Sequence, residues 1–198
     1  MNTDVSRETT QRLEDYESLI KRWNPRINLI APSTVNAIRQ RHIDDSLQIA
    51  RLAMPRSGLW ADLGSGGGLP GIVTAIVCSD APVKFIFVES DKRKSAFLRT
   101  AIRELNLPQV SVISARIEDI KPLNATYISV RALAPMPRLM PYLVQHLGDD
   151  GQAWLMKGKQ WQEELEEARR HWKFDAKVYP SATEFGAAIL KISGVSHD

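Results

Sequence analysis

Apolar residues change their spacing near residue 58, and the change divides the chain. From Ser6 to Trp23 the apolar positions Leu13, Tyr16, Leu19, Ile20 and Trp23 fall three or four apart, the spacing of one helix face, with Ser6 placed to cap it. WNPRINLIAPS interrupts that period at Pro25 and Pro32, and a second helix is expected from Ser33 or Thr34 toward Met54. No glycine precedes Gly58, so residues 1–56 read as a helical extension packed on a core formed by 57–198.

Beyond Gly58, short apolar runs alternate with helical ones, the signature of repeated strand–helix units around a parallel sheet. Strands are expected at 59–63, 83–89, 110–114, 126–131, 152–157, 174–179 and 186–192, with helices at about 69–78, 92–105, 138–147 and 160–171. Only PSATEF separates the last two strands, so they should form an antiparallel hairpin at the end of the sheet. The fold class is therefore α/β, a Rossmann-like, mostly parallel, seven-stranded sheet carrying an N-terminal helical extension.

Composition bounds this picture without redirecting it. At 198 residues the chain suits one domain plus a short extension, and 43% apolar with 25% charged residues is the mixture of a globular protein. No apolar run approaches the roughly 20 residues of a membrane helix. MNTDVSRETTQ also lacks the apolar core of a signal peptide, so no membrane partner and a cytoplasmic location are expected. Cys78, within IVTAIVC, is core filler, and the histidines at 42, 146, 171 and 197 show no metal-ligand spacing, so no metal is expected. A net charge of +3 says little about partners, but its distribution says more. Lys92, Arg93, Lys94, Arg99 and Arg103 cluster on one predicted helix, while Arg131, Arg138, Lys157 and Lys159 recur near predicted strand ends. These are either local positive faces for nucleic acid or ordinary solvated helix faces.

ADLGSGGGLPG places five glycines in eleven positions, directly after the first predicted strand. In an open parallel sheet, ligands bind at such strand ends. A tight turn alone would need one or two glycines, so the loop is expected to lie against a ligand. Gly66, Gly68 and Gly71 match the G-x-G-x-x-G of a dinucleotide site, with Glu89 eighteen residues further on. The other register, Asp62, Gly64, Gly66 and Gly68, sets an acid two residues before the first glycine. A carboxylate there suits a cationic ligand and opposes a pyrophosphate. Pro70 also removes one backbone donor near the helix start, a poor choice for a phosphate cradle. S-adenosylmethionine, with its amino and sulfonium groups and no phosphate, fits this register. Glu89 is placed to accept a ribose hydroxyl pair, and Glu118 or Asp119 in ARIED to meet an adenine amino group. Arg131, entering RALAPMP, is placed to orient a substrate or a cofactor carboxylate, or to pair with a structural acid.

WNPRINLI, RHIDDS, DLGSGGGLPG, VESDKRKSAFLR, SARIED and SVRALAPM, in this order, resemble the bacterial RsmG (GidB) family of 16S ribosomal RNA guanine-N7 methyltransferases. The resemblance covers residues 13 to 158, and after Gly158 it holds only in outline. It implies a class I S-adenosylmethionine-dependent methyltransferase, with 16S ribosomal RNA or the small ribosomal subunit as partner. Carried onto this chain, the family's cofactor contacts fall on Gly64, Leu69, Ile117, Glu118 and Arg131. Asp62, Gly66 and Glu89 join them from the general methyltransferase pattern and from the residues themselves.

Guanine N7 carries a lone pair and no proton, so methyl transfer to it needs position rather than a general base, and no catalytic residue is nominated. RHIDDS offers two readings. Arg41 and Asp45, four apart on a helix, form a surface pair, or Arg41, His42 and Asp45 line the rim where RNA enters. Lys92, Arg93, Lys94, Arg131 and Arg138 are the candidates for phosphate contacts. Two other functions compete with the methyltransferase: an NAD-dependent oxidoreductase, and a non-catalytic RNA-binding protein with a vestigial pocket.

Overall fold

The computed structural model describes residues 6–197; Met1 to Val5 of the extension and Asp198 of the core lie outside the described residues. Helix α1 spans Arg7–Ile27, and Ser6 Oγ accepts from the Thr9 N–H at 3.1 Å as its cap. The expected break at Pro25 does not occur. Pro25 falls in the last turn, where one ladder bond is forfeited, and the helix ends at Asn28, whose left-handed φ of 47° closes it. The single second helix expected to Met54 is three pieces: a 3₁₀ turn Pro32–Ala37, a wider π-type turn Arg39–Asp44, and α2 over Asp45–Ala53.

The core then alternates as its apolar runs imply. Strands are β1 (Gly58–Leu63), β2 (Val83–Val88), β3 (Val110–Ile113), β4 (Ala125–Arg131), β5 (Leu147–Lys157), β6 (Trp172–Pro180) and β7 (Ala188–His197). Helices are α3 (Gly71–Val77), α4 (Lys92–Glu104), α5 (Met136–His146) and α6 (Trp161–Arg169). Strand β5 begins at Leu147, earlier than expected, because Leu147 already pairs with Ala125 before the register shifts ahead of the Tyr127–Gln152 pair. Helix α5 opens at Met136 and carries Pro137 in its first turn, where a proline has no N–H to lose.

The seven strands form one sheet in the order β3-β2-β1-β4-β5-β7-β6. β7 runs antiparallel between β5 and β6, which is the expected C-terminal hairpin. Chain order reverses between β1 and β4, so the loops leaving their carboxyl ends diverge and open a crevice. One sheet face is covered by α1 to α4, the other by α5 and α6. Leu13, Tyr16 and Ile20 of α1 are fully buried in the same cluster as Trp60 and Phe85 of the sheet. Each such side chain contributes roughly 1.5–3 kcal/mol, so the extension is joined to the core by its apolar face.

Candidate functional site

A cavity of about 530 Å³ opens at the β1/β4 divergence. Its walls come from the glycine loop, the segment Leu29–Ala31, the end of β2, residues 115–118 and the end of β4. Gly64, Gly66, Leu69 and Glu89 line it, and so do Ile117, Glu118 and Arg131. Seven of the residues singled out for the cofactor thus face one space.

The glycine loop has two faces. On the cavity side, Gly66 has φ +53°, and a Cβ there would meet nothing closer than the Gly64 carbonyl at 3.8 Å. Four of the loop's backbone donors are already engaged within the protein. Gly64 and Ser65 N–H donate to Val88 O at 2.9 and 3.1 Å, Gly66 N–H to Glu89 Oε2 at 2.8 Å, and Gly68 N–H to Ser65 O at 2.6 Å. A pyrophosphate cradle needs those donors free. Behind the loop lies the N-terminal extension. Tyr16 Oη donates to Gly67 O at 2.5 Å, a Cβ on Gly67 would stand 3.2 Å from Leu29, and one on Gly68 would stand 3.0 Å from Tyr16 Oη.

The acids are placed less simply than the sequence suggests. Asp62 does not line the cavity: it is 1% exposed and sits behind the loop, which corrects the expectation that it points at the ligand. Its Oδ1 accepts from Ser129, which accepts in turn from Trp60 Nε1 at 2.8 Å, while Oδ2 has no partner. Burial pushes its carboxyl up to about 6, against the Ser129 hydrogen bond that favours the charged form. Glu89 reaches the cavity, and each of its oxygens already holds a backbone N–H, of Gly66 and Asp91, both at 2.8 Å. Each oxygen keeps a further lone pair for a ligand hydroxyl. Of the two acids in ARIED, Glu118 faces the cavity and Asp119 does not. Glu118 pairs with Arg116 at 2.8 Å, and that hydrogen bond holds its carboxyl below the usual range.

Arg131 joins the cavity to the extension. Its Nη2 donates to His42 Nδ1 at 2.6 Å and to Arg41 O at 3.2 Å, and its Nη1 stands 3.6 Å from Asp45 Oδ2. With Nδ1 accepting, the His42 proton sits on Nε2 and goes to Thr34 Oγ1 at 2.7 Å, whose own proton goes to Ala31 O at 2.8 Å. Burial first, then Arg131 and Arg41, lower His42 to about 4, so the imidazole is neutral. The Arg41–Asp45 pair does not form. The π-type turn over Arg39–Asp44 changes the angular offset of those positions, and Arg41 pairs instead with Glu184 at 3.4 Å.

The basic candidates separate. Lys94 lines the cavity, whereas Lys92 and Arg93 stand exposed outside it and Arg138 is exposed on α5. Asp91 caps α4 through the Arg93 and Lys94 N–H groups at 2.7 and 3.1 Å. Sequence reasoning gave no site role to Leu29–Ala31, Tyr142 or Ala132, all on the cavity wall. The signal was present in WNPRINLI: Asn24 Oδ1 accepts from the Ile30 N–H at 2.9 Å and so holds the wall segment after the Asn28 turn. Among the described residues no helix is long and apolar enough to cross a membrane, and no acid, His or Cys cluster is arranged to hold a metal.

Known proteins similar to this chain include methyltransferases. The family model described as rRNA small subunit methyltransferase G matches residues 9–192. A ribosomal RNA small subunit methyltransferase G of Paracoccus denitrificans is 54% identical, covering 98% of each chain. That of Ruegeria pomeroyi is 45% identical over 98% of this chain and 95% of its own. Among solved structures, a SAM-dependent methyltransferase from Aquifex aeolicus superposes with a TM-score of 0.61 at 13% identity, covering 89% of this chain and 97% of its own. That likeness establishes a methyltransferase-type fold.

Proposed function

Because the chain belongs to the rRNA small subunit methyltransferase G family, we propose that it transfers the methyl group of S-adenosylmethionine to N7 of a guanine in 16S ribosomal RNA. The observation that carries the cofactor half of this reading is the glycine loop, whose Gly64, Ser65, Gly66 and Gly68 N–H groups all donate within the protein. A loop so engaged offers a surface for a phosphate-free ligand, which weighs against NAD and sets the oxidoreductase reading aside. Gly64, Gly66 and Leu69 would form the floor under the cofactor, Glu89 would take its ribose hydroxyls, and Ile117 and Glu118 would flank the adenine. Arg131 would face its carboxylate, with Asp62 acting through the loop as a distant countercharge.

The chemistry asks the protein for position. The bound cofactor supplies an activated methyl group, and the guanine N7 lone pair attacks it in line without losing a proton. Holding the two in line contributes on the order of 7–11 kcal/mol. His42, the imidazole on the cavity wall, has Nδ1 filled by Arg131 and Nε2–H directed at Thr34, so it serves Arg131 and not as a base. Arg41, Asp45, Lys92, Arg93, Lys94 and Arg138 remain the candidates for RNA contact, which suits a cytoplasmic enzyme acting on the small subunit or its RNA.

The test incubates the protein with labelled S-adenosylmethionine and small subunits from a strain lacking the enzyme, then maps the base by chain scission at N7-methylguanine. Label at one guanine N7 is expected. Label on another atom or base would sink the regiochemistry, and tight cofactor binding without transfer would favour the vestigial pocket.

A further inference from the structure

A second cavity, of about 170 Å³, opens beside the first, and the two share Arg131 and Ala132. Its far wall is the β6–β7 loop, represented by Ser181, Glu184 and Ala187. That loop is docked on α2, since Gln48 Oε1 accepts from the Ala182 N–H at 2.7 Å and Asp45 Oδ1 from Thr183 Oγ1 at 2.5 Å. The volume is below the roughly 300 Å³ at which sites for whole small molecules begin, and suits one flat ring system lifted out of a stack.

The two acids on this cavity differ in what they have left to offer. Asp45 is engaged by Thr183, by Gln48 at 3.0 Å and by Arg131 at 3.6 Å. Glu184 has Arg41 as its side-chain partner, at 3.4 Å and with both side chains over 40% exposed, so its carboxylate keeps acceptor capacity toward the cavity. A third cavity of about 280 Å³ nearby lacks such a group, because its Lys157 and Glu164 are paired with each other at 2.7 Å.

We infer that the second cavity receives the target guanine and that Glu184 reads its N1–H and N2–H donors. The inference rests on the guanine-N7 reading above and adds to it the residue that selects the base. Guanine presents two adjacent donors on its six-membered ring, which one carboxylate accepts together; adenine presents an acceptor at N1 and is repelled. N7 lies on the opposite edge of the base. With the donor edge held at the far wall, N7 is directed back to the Arg131–Ala132 junction, where the two cavities meet.

The test compares kcat/KM on small-subunit RNA carrying guanine or inosine at the mapped position, inosine lacking only the 2-amino group. For the wild type the guanine/inosine ratio is expected to be about tenfold or more, the size of one lost hydrogen bond to a charged acceptor. In Glu184→Gln the amide nitrogen opposes a donor, so activity on guanine falls about 10- to 100-fold and the ratio moves toward one. Cofactor affinity should stay within about twofold of wild type, since Glu184 does not line the first cavity. The ratio is internal to each preparation, so any loss of folded protein cancels. Arg41→Ala separates readout from a merely structural pair: it should leave the ratio at its wild-type value. A wild-type ratio near one, or a Glu184→Gln ratio equal to wild type, overturns the inference while guanine-N7 transfer stands. A wild type that makes no N7-methylguanine overturns both.

Discussion

The two faces of the loop 64–71 are rich in glycine for different reasons. Toward the cavity, Gly66 leaves open space where a side chain would stand, which is what a bound ligand requires. Toward the protein, Gly68 is small because Ile72 and Tyr16 press against it, while Gly67, on the cavity wall, also abuts Leu29. One face is shaped by a ligand and the other by a neighbouring helix, although both read identically in sequence. It follows that the extension is part of the site's construction: α1 supports the loop through Tyr16, and the segment after it forms a cavity wall.

Substitutions on the two faces should break different things. Gly68→Val carries the largest expected effect. It puts a β-branched residue at φ +84° with its Cβ 2.5 Å from Ile72 Cδ1 and 3.0 Å from Tyr16 Oη. A loss of about 3–5 kcal/mol in urea unfolding is expected, with cofactor binding lost alongside the fold. Gly66→Val comes next. Its φ of +53° costs about 1–3 kcal/mol, and no atom outside its neighbours lies closer than 3.8 Å. Its side chain would fill ligand space, so calorimetry should show S-adenosylmethionine affinity down about a hundredfold while the protein still melts cooperatively. Equal stability losses in the two variants would erase the distinction between the faces.

Much of this was legible in sequence because it is local. Strand positions followed from apolar runs, the loop from its glycines after LWADL, and the hairpin from the lack of a helical segment in PSATEF. What sequence hid is non-local or degenerate. Tyr16 sits at a helical core spacing, and nothing in that period says its hydroxyl supports a loop 51 residues away. The direction of Asp62 was hidden because the later residues of β1, Trp60 to Leu63, are all buried, so no polar–apolar alternation marks which face the acid takes. Of the two readings of RHIDDS, the Arg41–Asp45 pair fails because i,i+4 pairing presumes an α-helix, and the chain there winds as a π-type turn. The β6–β7 loop meets residues 41–48 across more than 130 positions, through contacts that no spacing rule encodes.

The smallest expected effect tests the two titratable groups that flank the loop, His42 on the cavity wall and Asp62 behind it. Asp62 rises in the fold from 3.8 to about 6, so between those values the folded state holds more protons than the unfolded. Its contribution to stability therefore falls as pH rises through that window and stays low above it. His42 drops from 6.5 to about 4, so its unfolded form binds the extra proton, and stability rises with pH over nearly the same range. The two slopes oppose, so together this pair adds little to the pH dependence of wild-type stability from pH 4 to 6.5. Asp62→Asn removes one of them: Asn still accepts from Ser129, and its amide sits where Oδ2 had no partner. Its unfolding free energy should climb with pH more than that of the wild type, by on the order of 2 kcal/mol over the window, read from urea midpoints at each pH. A profile with the same slope as wild type would mean that Asp62 holds no extra proton in the fold. The buried carboxylate would then stay charged down into the ordinary carboxylate range, and its pull on a cationic cofactor would persist across the whole window.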